Sequence, residues 1–405
     1  MAPPQSVGSS YWAHRFSFNP GLYRSRYNLP PRLETTLRYI FYALSLYHDI
    51  LTGEASSRHG ATHDGMHIPE AVHAELDRIV DMVVEARKRT VRVTWTWREF
   101  HEGYHECQYD ESLLLQRFPP PPWPAETVED RPISVLDRDG RLLYAYFPCV
   151  LNETRMKALQ HAASKVFNGT HPYVQEMASG NVLEHTKVWP PSSTLRPGQL
   201  SLYPAGMTPQ MPANHPPIAS TIFSDSTLRP GAFDFLDSVD AETAGVLGAI
   251  LALSSPNHLH VTFELFEALH TRRLVPHDED LFDDIMSRWP FPFTDLYLQA
   301  NSDSSDAHRS HFCPHSLNLY LSVGPSTTNR LKVSSLQGEF AFEPGTISIG
   351  FPRIFLSDLS PGGCSDQVSL IGSYSDSLRR SLTRVLHPLP FDTKDHLDYI
   401  SHMFH

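Results

Sequence analysis

Two short stretches carry residue types that could do chemistry. The first, His101-Glu102-Gly103-Tyr104-His105, fits the pattern H-E-x-x-H. On a helix, the i, i+4 spacing sets both imidazoles on one face, where they can ligate zinc while the glutamate activates water. The setting argues against that use. Gly103 falls inside the required helix at a cost of about 1 kcal/mol relative to Ala. Arg98, Glu99 and Glu106 add charge where a zinc-hydrolase helix is buried. The stretch reads as a polar, solvated helix, with a zinc hydrolase through His101, Glu102 and His105 as the lesser alternative. The second stretch, DAHRSHFCPHSLNLYLSVG from Asp306 to Gly324, crowds His308, His311, Cys313 and His315 together and then turns apolar. In an extended chain His311, Cys313 and His315 share one face, and Pro314 confines them to an edge or a strand start. One short segment does not close a tetrahedral metal site, so Cys364 would have to arrive from another strand.

The elements that must position these residues differ along the chain. Residues 1–30 are rich in Pro, Ser and Arg and read as an extended segment. Helical spacing follows in RLETTLRYIFYALSLYHDILTG and PEAVHAELDRIVDMVVEARKR, so residues 31–118 read as a helical region. The run PPPPWP at Pro119–Pro124 marks a stiff linker over 119–129. Beyond it, ISVLDRDGRLLYAYF predicts a hairpin turning at Asp139-Gly140, and NETRMKALQHAASKVFNG a helix capped by Asn152. From Tyr173 to Ala232 the composition predicts short strands and loops. DAETAGVLGAILALSSPNHLHVTFELFEALHTRRL predicts two helices broken at Ser254-Ser255-Pro256. Six alternating segments then read as short strands, from FTDLYLQAN to DQVSLIGSYS, which suggests an antiparallel barrel or sandwich. The segment SLRRSLTRVL predicts a last helix.

Composition bounds the rest. A chain of 405 residues with 40% hydrophobic content can bury a substantial core. A net charge of −12 means that any nucleic-acid surface must be a local basic patch. The four cysteines form no C-x-x-C pair, which fits a reducing compartment. Neither a signal-peptide layout nor a run of 18 apolar residues is present, so the expectation is an intracellular protein, nuclear or cytoplasmic, without membrane spans. Oligomeric state is not legible.

The order of these elements, with the FEPGTISIGF turn, carries a family resemblance. Helices, a strand ending in a His-rich loop, further strands, a Pro-Gly turn and a last strand resemble the Tet/JBP-like 2-oxoglutarate and Fe(II) dioxygenases. The similarity extends to the fungal branch found alongside Kyakuja–Dileera–Zisupton-type transposons. It spans roughly residues 130 to 375. The resemblance implies an α+β fold with a distorted double-stranded β-helix (jelly-roll) core flanked by helices, over residues 130–405. It also implies a facial triad of H-x-D and a distal histidine for iron, with an arginine for the far carboxylate of 2-oxoglutarate. Carried over by position, the first histidine is His308, but the aspartate falls on Ser310, the distal histidine on Ser357 and the arginine on Gln367. With one of four positions kept, the expectation is a catalytically inactive binding or scaffold protein without cofactor. The alternative is an active oxygenase, with Fe(II) and 2-oxoglutarate, that oxidises a methylated nucleobase. For that case a shifted site could draw on His311 or His315, on Asp303 or Asp306, on Arg353 or Asp358, and on Arg379 or Arg380 as anchors. The H-x-D/E pairs His73/Glu75, His277/Glu279 and His396/Asp398 lie outside the strands.

Overall fold

The computed structural model describes residues 29–52, 68–106, 111–121, 128–169, 195, 198–206, 215–271, 274–301, 317–351, 357–360, 366–375 and 378. The first half supplies α1 (Pro31–Thr52), α2 (Glu70–Lys88), β1 (Thr90–Arg92), α3 (Trp97–Glu106) and α4 (Glu111–Arg117). Next come β2 (Val128–Glu129), β3 (Ile133–Leu136), β4 (Leu142–Phe147), α5 (Glu153–Gly169) and β5 (Gly198–Leu202). Five helices follow: α6 (Thr221–Ser224), α7 (Arg229–Ser238), α8 (Ala241–Ser254), α9 (Pro256–His270) and α10 (Glu279–Arg288). The chain then gives β6 (Asp295–Ala300), β7 (Asn318–Ser322), β8 (Arg330–Val333), β9 (Gly338–Ala341), β10 (Ile347–Gly350), β11 (Ser357–Ser360) and β12 (Val368–Ser373).

These strands form an eight-stranded sheet in the order β1-β3-β4-β10-β7-β12-β6-β5 and a four-stranded sheet in the order β11-β8-β9-β2. The fold is therefore α+β, with a large mixed sheet. From β6 onward the chain alternates between sheets: β6 and β7 in the large one, β8 and β9 in the small, β10 in the large, β11 in the small, β12 in the large. The turn between β9 and β10 depends on Gly345, whose φ of 84° favours glycine. A Cβ there would also stand 2.9 Å from the Leu151 carbonyl oxygen.

One face of the large sheet is apolar. Leu319 and Leu321 of β7, Leu296 and Leu298 of β6, and Ile347 and Ile349 of β10 are all fully buried. Above β3 and β4 lies α2, fixed where Ser134 Oγ donates to the Ala86 carbonyl at 2.9 Å. Helix α8 is apolar all round, as a helix enclosed on every side must be. Its Gly245 and Gly248 leave room for Tyr39 and Ile40 of α1.

Polar anchors tie the helices together. The Arg155 guanidinium, at the start of α5, bonds Glu75 of α2 at 2.7 Å and Glu242 of α8 at 2.9 Å. Asn152 caps the same helix, its Oδ1 accepting from Arg155 N at 2.9 Å. Arg32 donates to the carbonyls of Leu236 and Arg288, closing the ends of α7 and α10. The helices before Pro119 and the sheet after it share one hydrophobic core, and β1 pairs with β3 in parallel.

Two parts of the stretch 173–232 differ from the expected strands and loops. Thr221–Ser224 and the start of Arg229–Ser238 are helical. Pro230 opens the second of these at its first turn, a place where proline starts a helix rather than ending one. Helix α10 also has no counterpart in the sequence reading, although Asp278 caps it by accepting from Leu281 N at 3.0 Å.

Candidate ligand-binding site

In antiparallel pairs, residues directly opposite each other project to the same side. Reading the registers across the large sheet therefore reveals its second face. Ser348 stands between Tyr146 and Tyr320, and Ile371 between Tyr320 and Tyr297. Ser369 stands between Ser322 and Gln299, which in turn faces Gln199. At the opposite strand ends, Ser373 faces Asp295. This face is almost wholly polar, and much of it is buried.

The small sheet covers part of it. The Phe340 ring of β9 packs 5.3 Å from Tyr144 and 5.1 Å from Tyr146. Tyr146 donates its hydroxyl to the Ala341 carbonyl at 2.6 Å, and Ser322 Oγ donates to the Phe342 carbonyl at 3.0 Å. Burial pushes the phenols of Tyr144, Tyr146 and Tyr297 above the ordinary tyrosine range, so all three stay neutral at physiological pH.

Gln367 lies just before β12, at the end of this interior, and is 2% exposed. Its Oε1 accepts from Asn329 Nδ2, which bridges the two sheets. Its Nε2 donates to the Val368 carbonyl at 3.4 Å and to Ser369 Oγ at 3.5 Å. The Gln367 backbone N donates to Asn301 Oδ1 at 2.7 Å, and Asn301 Nδ2 donates to Asp366 Oδ1 at 2.7 Å. Asn301 itself has a φ of 44°, a left-handed conformation that asparagine tolerates. The result is a closed network of three amides and the Asp366 carboxylate at that position.

Asp295, at the first position of β6, is 9% exposed and buried among the strands. Among the described residues its Oδ1 has no hydrogen-bond partner. The one hydroxyl directly opposite, Ser373 Oγ, donates to Asn318 Oδ1 at 2.9 Å instead. Burial raises the Asp295 carboxyl to about 7, against a smaller lowering by a hydrogen bond with Thr294. Sequence reasoning missed this residue. The signal was the alternation Asp295, Tyr297, Gln299 against Leu296 and Leu298, which reads as a strand with one solvated face.

His308, Ser310, His311 and His315 lie outside the described residues, as do Asp303, Asp306, Arg353, Arg379, Arg380 and the pair His396/Asp398. Ser357 is the first residue of β11, opposite Val333, and Asp358 follows it opposite Lys332. Gln367 contacts Asn329, which precedes Arg330 at the other end of that sheet from the Ser357–Val333 pair. Glu75 of the pair with His73 is committed to Arg155 and Asn152. His277 is exposed and its ring lies parallel to that of His215. His258, which the sequence reading left aside, accepts from Leu317 N at 3.0 Å through Nε2 and so fixes the start of β7.

The H-E-x-x-H stretch does form a helix, α3. Trp97, Phe100 and Gly103 are buried on one side, so the helix is amphipathic rather than solvated all round. Gly103 is not merely tolerated: a Cβ there would meet the Phe118 ring at 2.6 Å. Glu102 is exposed and ion-paired with Arg98 at 3.0 Å. Among the described residues no group of three His, Cys, Asp or Glu side chains gathers as metal ligands. No helix of the described residues is long and apolar enough to cross a membrane.

No protein-family model matches the chain, and no curated protein matches it. Among solved structures, the chain is similar to NgTET1 in complex with 5mC DNA, with a TM-score of 0.40 and 10% sequence identity. The likeness covers 62% of this chain and 78% of that one.

Proposed function

We propose that this chain is a dioxygenase-fold protein of the Tet/JBP-like kind that works by binding rather than by oxidation. The way β6 to β12 are shared between two facing sheets, with β10, β11 and β12 alternating strictly, supports a double-stranded β-helix. The observation that carries the loss of catalysis is Gln367. The family arginine would meet the far carboxylate of 2-oxoglutarate there. In its place stands an uncharged side chain whose amide is already bonded to Asn329, Val368 and Ser369. A carboxylate seated against it would be buried without a cation, at a cost of several kcal/mol. The residues at that position do not fit 2-oxoglutarate, and Ser310 and Ser357 supply hydroxyls where iron needs a carboxylate and an imidazole.

The test is a thermal-shift titration with Mn(II) and 2-oxoglutarate together. The expected result is no shift at millimolar concentrations. A saturable rise would overturn the reading, and its loss in His308→Ala would place the metal at the carried-over histidine. NgTET1 was solved with 5mC DNA, and a nucleic-acid partner is proposed here on the resemblance. A gel shift that weakens with salt would support that partner, against the −12 net charge that opposes it.

A further inference from the structure

Two ordered histidine arrangements lie outside the polar interior. His215 and His277 stand in parallel with ring centroids 6.5 Å apart, but among the described residues no third ligand joins them to hold a metal. His258 is different. It sits half-buried in the first turn of α9, and both of its ring nitrogens are committed. Nε2 accepts from Leu317 N at 3.0 Å, and Nδ1 pairs with the hydroxyl of Ser255, the residue between α8 and α9. The ring also stands over the ends of three neighbouring strands. β10, β7 and β12 lie side by side, and continuing their registers sets Phe351, Leu317 and Tyr374 in one row. The imidazole packs 6.4 Å from the Phe351 ring and 5.4 Å from the Tyr374 ring.

We propose that His258 is a pH-sensitive latch: its neutral ring pins the start of β7 to the α8–α9 junction, and protonation releases it. A backbone N–H can only donate, so Nε2 carries no proton while it serves Leu317. The proton of the neutral ring therefore sits on Nδ1 and is donated to Ser255 Oγ. That tautomer excludes a serine nucleophile, because the nitrogen facing the hydroxyl is not free to take its proton. An imidazolium has two donors and no acceptor. Protonation thus leaves the Ser255 bond in place and turns an Nε2–H against the Leu317 N–H. Leu317 is buried, so the displaced N–H regains a partner only by moving into water.

The described surroundings favour the neutral ring. The first turn of a helix carries partial positive charge, which opposes a cation placed there. Arg87 donates to the Leu253 carbonyl at 3.3 Å and so adds a cation at the end of α8. Behind Phe351 stands Trp97 at 5.6 Å, and the Arg141 guanidinium lies over the Trp97 ring at 5.7 Å. From the end of β12 the titratable group facing the imidazole is the Tyr374 phenol. On β6, Asp295 lies one row further into the sheet, opposite Ser373, and alternation turns it to the polar face, away from His258. The latch lies on the helix-covered face and does not depend on the binding-protein reading.

Amide hydrogen exchange on the full chain between pH 5 and pH 8, corrected for the intrinsic pH dependence of exchange, tests this at the start of β7. A free histidine titrates near 6.5, so protection of the Leu317 amide should be constant above that pH. Below it, protection should fall by up to about tenfold per pH unit. Strands β6 and β5, two and three places from β7 in the sheet, should show no parallel loss. In His258→Gln the side-chain oxygen accepts at any pH, so protection should persist and its pH dependence vanish. In His258→Phe protection should be low throughout. The parent profile decides the matter if either variant fails to fold. Protection that ignores pH in the parent, or an equal loss across β5 and β6, overturns the proposal. So does a pH dependence that survives in His258→Gln, or full protection in His258→Phe.

Discussion

At the scale of single residues, two buried side chains, Asp295 and Gln367, set the properties of the interior. Asp295 holds its proton to about pH 7 in the folded chain, against an ordinary value of 3.8. Between those limits the folded state keeps a proton that the unfolded chain has released, so stability falls as pH rises through the window. Its contribution is fully present below about pH 4 and is lost above about pH 7, an order of 4 kcal/mol. Asp295→Asn should therefore flatten urea-unfolding free energies between pH 4 and pH 8 and exceed the parent at pH 8. An unchanged pH slope would show that the carboxyl ionises freely. Gln367 gives the opposite experiment. Introducing a cation by Gln367→Arg breaks the bonds to Asn329 and Ser369 and buries a guanidinium in their place, with an expected loss of about 3 kcal/mol or more. If the variant instead gains 2-oxoglutarate binding without that loss, the proposal that the amide network at Gln367 does not fit 2-oxoglutarate is overturned.

At the scale of elements, Arg155 joins three helices that are distant in sequence. Arg155→Met leaves Glu75 buried without its partner, and such a break costs about 3–5 kcal/mol. The double variant with Glu75→Gln should recover most of that loss, and a double-mutant cycle on chemical denaturation measures the recovery. The sequence reading found the helices and strands whose pattern is local. The break at Ser254-Ser255-Pro256 falls between α8 and α9, and Asn152 caps α5. It missed what depends on context. Pro230, within the stretch read as short strands and loops, instead opens a helix. Gly103 was read as a weakness in α3 and is instead the space that Phe118 requires. The alternation in β6 was legible as a strand, but alternation cannot tell a solvated polar face from an enclosed one. The second sheet, set over Tyr144 and Tyr146 by Phe340, makes that distinction for β4, and the burial of Asp295 makes it for β6.

At the scale of the whole molecule, the proline run at Pro119–Pro124 looks in sequence like a joint between independent parts. The packing crosses it in several places. Helix α1 rests on α8, α2 on β3 and β4, and β1 extends the large sheet from its edge beside β3. Trp95 Nε1 donates to the Pro119 carbonyl at 3.3 Å, fastening the start of the run to the part that precedes it. Separating the two parts would expose the apolar surface that Gly245 and Gly248 open to Tyr39 and Ile40, and neither part could rebury it alone. The expected behaviour is one cooperative unfolding transition. Buried tryptophans report on both sides, Trp95 and Trp97 before the prolines and Trp289 after them. Single-tryptophan variants retaining one reporter from each side should give coincident denaturation midpoints by fluorescence. Midpoints that separate would show that the helical region unfolds as a unit of its own, with the proline run as its hinge.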